Sequence, residues 1–199
     1  MTAIVALTAG QAFAAAGVIT ITGAGTKFQA MSQSVVLSDA ATGLNVHCAN
    51  SVIGGSLANV ANAPLPYTTT QAGGAAHSIT GLSLSACGNA MITVPAGYLP
   101  DDFVFTNTSS TAPQAIGVVV PAGAVPALFH VTEVGCGFDA TGATRITWTN
   151  GTANQLTFVG GAQLHVVNAG GCAGLVNNGD PLSLVGNYTV VPTTITIVP

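Results

Sequence analysis

From Gly17 onward the apolar positions fall in short β-branched runs broken by Gly, Asn, Pro and Ser, and nothing after residue 30 sustains a helical period. The first run is Val18, Ile19, Thr20, Ile21 and Thr22, stopped by Gly23 and Gly25. Runs at 35–37, 44–48, 78–85 and 91–94 follow, and Phe103, Val104 and Phe105 begin another behind a turn. Within 78–85 the alternation changes phase at Gly81, which predicts a bulge. The clearest local pattern is 144–159. Ile146 and Trp148 alternate with Arg145, Thr147 and Thr149, then Asn150-Gly151 supplies a turn with positive φ, and Leu156 and Phe158 resume the alternation. This predicts a hairpin whose loop is lengthened by Thr152 to Asn154. Strands at 163–167, 183–191 and 194–198 complete the set. Pro192 and Pro199 bracket the last of these, Thr194, Ile195, Thr196, Ile197 and Val198, as suits an edge or terminal strand.

The pattern predicts an all-β fold, an antiparallel β-sandwich or a Greek-key, jelly-roll-like domain, with or without a short apolar N-terminal segment. The 199 residues fit one β-rich domain over 17–199 after a leader at 1–16. Two similar halves, 17–100 and 101–199, are an alternative, because each contains a strand that runs into a cysteine.

Composition changes the picture more than length does. Lys27 and Arg145 are the only strong cations, six residues are acidic, and 49% of the chain is hydrophobic. An ordinary soluble domain carries about 25% charged residues. High hydrophobicity with low net charge argues against disorder, and the lack of a basic stripe argues against nucleic acid. No apolar run is long enough to span a bilayer as a helix. A surface so poor in charge is weakly protected against association with its own copies.

Cys48, Cys87, Cys136 and Cys172 are even in number and lack the paired spacing of a structural zinc site, so disulfides are the better reading. Of the three connectivities, Cys48 with Cys87 and Cys136 with Cys172 closes two loops of similar length. Disulfides imply an oxidising compartment. The apolar stretch from Ala3 to Ala9 and the small-x-small pattern Ala12-Phe13-Ala14 resemble a secretory leader, although no Lys or Arg precedes them.

Catalytic constellations are scarce. The chain has no G-x-S-x-G elbow, phosphate loop, H-E-x-x-H or dinucleotide fingerprint, so no catalytic residue, metal or cofactor is expected. His47, His77, His130 and His165 lack ligand spacing and read as half-buried strand residues. Asp101-Asp102 reads as a solvated turn before a strand, with a calcium site as the sharper alternative. Asp139 and Asp180 read as turn caps. Tyr67, Tyr98, Phe103, Phe105, Trp148, Phe158 and Tyr188 read as core or interface fillers, with a sugar-binding platform as the alternative. Asn107, Asn150 and Asn187 each begin a glycosylation acceptor pattern.

The segments Leu44-Asn45-Val46-His47-Cys48, Ser78 through Gly88, and Gly171-Cys172-Ala173-Gly174-Leu175-Val176 through Tyr188 to Pro199 resemble the PraB-like family, secreted bacterial proteins related to the alkane-oxidation protein activator. The resemblance implies an exported β-rich protein of the cell surface or biofilm matrix, with no catalytic residues to carry over. The expected function is therefore an extracellular structural subunit whose partner is itself. Val18 to Thr22 is its candidate donor strand and Thr194 to Val198 the alternative. A monomeric module that binds an apolar small molecule or a glycan near Trp148 and Phe158 is the other expectation.

Overall fold

The computed structural model describes residues 17–23, 27–69, 78–133, 135–161 and 163–199. The expected leader at 1–16 and His77 lie outside them. The strands are β1 (Val18–Thr22), β2 (Lys27–Ser32), β3 (Val35–Asp39), β4 (Asn45–Cys48), β5 (Asn50–Ser56), β6 (Val60–Pro64), β7 (Tyr67–Thr68), β8 (Ile79–Ser85), β9 (Met91–Thr93), β10 (Asp101–Thr108), β11 (Ala115–Pro121), β12 (Phe129–Glu133), β13 (Cys136–Gly142), β14 (Thr144–Thr149), β15 (Asn154–Gly160), β16 (Leu164–Gly170), β17 (Pro181–Val191) and β18 (Thr196–Val198).

The fold is all-β and antiparallel, but it is a barrel rather than a sandwich. Strands β2, β5, β8, β10, β11, β14, β15 and β17 pair side by side, and β15 also pairs with β17, which closes an eight-stranded ring. Closure leaves no free edge along the ring. The staves meet in chain order, so the barrel is an up-and-down meander and not a Greek key or jelly roll. It draws strands from both sides of residue 100.

The remaining strands lengthen the staves. On one edge of β17, β2 pairs from Met31↔Thr189 to Gln29↔Val191, and β3 continues from Val35↔Gly186 to Asp39↔Leu182. On its other edge, β15 pairs with residues 185–190 and β16 with Leu182 and Pro181. Strands β4 and β5 follow β3 and β2 in the same way, as β13 and β14 follow β16 and β15. Beyond the barrel this produces an open sheet in the order β4-β3-β17-β16-β13-β12-β9. Disulfides join Cys48 to Cys87 and Cys136 to Cys172, the pairing preferred on loop length. The first fastens the segment after β8 to the end of β4. The second ties the start of β13 to the segment after β16. Sequence separations of 39 and 36 correspond to about 4 kcal/mol each by the chain-entropy model.

The interior is filled. Trp148, Phe103, Phe105, Phe158, Tyr188, Ile53 and Ile146 pack inside the barrel in one cluster that continues through Val35, Leu37, Phe138 and Val166. The bulge predicted at Gly81 is present. Gly54 pairs with Gly81 but Gly55 pairs with Ile79, so Thr80 is the extra residue. The hairpin over β14 and β15 is also present, but neither Asn150 nor Gly151 takes a positive φ. Its loop is instead closed by the Asn154 side chain, which accepts from the Gly151 NH.

A second sheet, β18-β1-β6, covers the end of the barrel where β10, β14 and β15 meet their loops. Ile19, Ile21, Ile195 and Ile197 are fully buried beneath it and belong to the barrel's own core cluster. The two segments expected as donor strands are therefore seated within the chain. β1 pairs on one edge with β18 and on the other with β6. Thr194 and Ile195 precede β18, which begins at Thr196. The physical reason is burial: alternate isoleucines of both segments have an apolar seat in their own barrel mouth.

Candidate assembly surface and buried carboxylates

Four of the eight charged residues are inside the protein. Asp39, Asp101, Asp102 and Asp139 are buried, leaving Lys27, Arg145, Glu133 and Asp180 as the charges that reach solvent. The outside is thus poorer in charge than the sequence already implied.

A face with one charge lies over β2, β17 and β15. Its outward positions are Lys27, Gln29 and Met31, then Val185, Asn187, Thr189 and Val191, then Gln155, Thr157 and Val159. Met31, Val159, Val185 and Val191 are among the large apolar side chains left exposed. Cross-strand partners bring these residues together: Val159 faces Val185, Thr157 faces Asn187, and Thr189 sits between Gln155 and Met31. The Thr157 hydroxyl donates to Asn187 Oδ1 at 3.0 Å, which fixes two of these side chains. A shallow depression lined by Met31, Ser32, Gln33, Asn187 and Thr189 marks where β2 gives way to β3.

Asp101 and Asp102 open β10 and are buried there, so the solvated-turn reading is corrected. Asp101 shares its parity with Phe103 and Phe105 and faces the interior with them. That parity was visible in the sequence. Asp101 Oδ1 has no hydrogen-bond partner. Burial, with the neighbouring Asp102 carboxylate, pushes its pKa up to about 8.

Asp139 is not a turn cap. It lies in β13, and its carboxylate accepts from the Tyr98 hydroxyl at 2.8 Å and from Asn168 Nδ2 at 2.7 Å, with His130 Nδ1 at 2.6 Å. Burial opposes its ionisation. The bonds from Asn168, His130 and Tyr98, with the His130 charge, outweigh burial and hold the carboxyl below the usual range. The Tyr98 phenol is pushed up to about 12 by burial and by the adjacent carboxylate. This cluster ties the β9–β10 connection and β16 to the β12–β13 hairpin. Asp180 does cap a turn, accepting from the Asn177 NH at 2.7 Å.

His130 is half-buried, whereas His47 and His165 are exposed on β4 and β16 and not half-buried as expected. Among the described residues no group of His, Cys, Asp and Glu is arranged to hold a metal ion. Tyr67, Tyr98, Phe103, Phe105, Trp148, Phe158 and Tyr188 are all buried, so they form core rather than an aromatic platform. The cavity beside Phe158 measures about 20 Å³, room for roughly one water and not for a ligand. Of the acceptor asparagines, Asn107 and Asn187 are exposed, while Asn150 is engaged with β18. Among the described residues no helix is long and apolar enough to cross a membrane. Compared with family models, curated proteins and solved structures, the chain shows no match.

Proposed function

We propose that this protein is a structural subunit that self-assembles into an extracellular fibre or surface layer. The observation that carries this reading is the distribution of charge: half of an already small number of charged residues is withdrawn into the interior, and a three-stranded outer face carries a single charge, Lys27 at the start of β2. With one charge on the face, little electrostatic repulsion opposes face-to-face contact between copies. The face is roughly 14 Å by 23 Å at usual strand spacings, a few hundred Å². A stable pair of proteins buries about 800 Å² per partner, so one such contact is weak and lasting association comes from repeating it along a lattice or filament. Two disulfides are compatible with an extracellular setting. Donation of β1 or β18 to a neighbour is the costlier route, because each must first leave a paired seat lined by buried isoleucines.

The test is a concentration series of the full chain followed by size exclusion and negative-stain microscopy, beside the double substitution Val185→Lys, Thr189→Lys. The native chain is expected to form extended assemblies, and the variant to stay dispersed with an unchanged circular dichroism spectrum. A native chain that remains monomeric at every concentration overturns the proposal.

A further inference from the structure

The barrel contains a carboxyl group with no counter-ion among the described residues and no role in the outer surface. Asp101 is 1% exposed and lines the cavity of about 20 Å³. The walls come from β5 (Ile53), β8 (Ile79, Leu84), β11 (Val119), the start of β12 (Phe129), β15 (Phe158) and β17 (Leu184), and all of these are hydrocarbon or aromatic. Thr144 of β14 and Tyr188 of β17 are the polar exceptions. The Tyr188 phenol donates to Ser51 at 2.8 Å and, pushed up to about 12 by burial, stays neutral. The charged group nearest along the strand is Asp102, which has the same sign. Neither cation of the chain lines the cavity: Lys27 and Arg145 are both exposed on the outside. A bare carboxylate in such a place is strongly disfavoured, and a site with so few oxygens does not replace the hydration of a metal cation.

We propose that Asp101 is a proton-binding site: it is held as the neutral acid inside the folded barrel at neutral pH, and the protein binds one proton there on folding. The sign of the linkage follows. A group that is acidic in the unfolded chain and takes up a proton when folded contributes stability in full below the ordinary carboxylate range. That stability is lost as pH rises through its folded value near 8. Across pH 5 to 8 the folding equilibrium constant therefore falls about tenfold per pH unit from this residue alone. Acid conditions favour the folded barrel, and mildly alkaline ones loosen it.

The experiment is urea unfolding of the full chain from pH 5 to 9, followed by the fluorescence of Trp148, for the native protein and Asp101→Asn. The native protein is expected to lose stability steadily over this range, and the neutral amide to remove about one proton's worth of slope and to be the more stable of the two at pH 9. Equal slopes in the two proteins overturn the proposal. As a readout that does not depend on the amide variant folding, the Asp101 carboxyl carbon is also followed by NMR in the native, carbon-13-labelled chain. Titration near pH 8 supports the assignment, and titration near pH 4 overturns it.

Discussion

Asn150 holds Ile197 by both polar groups of its backbone: Asn150 Oδ1 accepts from the Ile197 NH at 3.0 Å, and Asn150 Nδ2 donates to the Ile197 carbonyl at 2.7 Å. The same Oδ1 accepts from Trp148 Nε1 at 3.0 Å. Asn154 Nδ2 continues the arrangement with the carbonyls of Thr193 and Ile195. Side-chain amides from the β14–β15 loop thus take the place of a neighbouring strand along the outer edge of β18. Edge strands are otherwise templates for unwanted pairing. Asn150→Ala leaves the Trp148 indole and the Ile197 peptide without their partner and is expected to cost about 3 kcal/mol. Hydrogen exchange should show faster opening at Ile197.

Asp139 gives the molecule an acid limit. Its carboxyl is held below the usual range, so its contribution is complete above the ordinary carboxylate value and is lost as pH falls through the folded one. Thermal melts from pH 6 to 2 should show a decline in the native protein that is shallower in Asp139→Asn. Tyr98→Phe removes one bond to a charged acceptor and should cost about 2 kcal/mol at pH 7. An effect confined to acid, with no change at pH 7, would contradict the hydrogen-bonded cluster.

Gly23 follows β1 in close contact with Thr194. Its φ is 67°, and a Cβ there would overlap the Thr194 carbonyl, a backbone atom that cannot rotate away. Gly23→Ala should therefore lower stability by about 2 kcal/mol or more, by strain in the left-handed region and by separating β1 from β18. Denaturant melts measure the loss, and protease sensitivity at the C-terminal end should rise with it.

The strands with bulky alternating residues were legible in the sequence. β1 has the bounds expected of it, and β14 with β15 follows from Ile146, Trp148, Leu156 and Phe158. Strands β2 and β5 were not. Their inward positions include Ala30, Ser32, Ser51 and Gly55, whose small side chains give no hydrophobic signal although they face the core. Ring closure was out of reach for a different reason. It depends on β15 meeting β17 across β16, and pairing at a distance leaves no mark in local periodicity. The buried aspartates show the opposite error. Asp101 alternates with Phe103 and Phe105, so the pattern placed it inside, while its charge argued for the surface. For Asp101 the period is the better guide, whereas Asp102 is buried out of phase with it.

Because β17 has partners along both edges and shares them between the barrel and the open sheet, a pull on the protein along that strand is resisted in shear. Two ladders of hydrogen bonds carry the tension at once, in place of one bond after another as in unzipping. A subunit arranged with β17 along the direction of stress would stretch little before it failed, and would then fail abruptly.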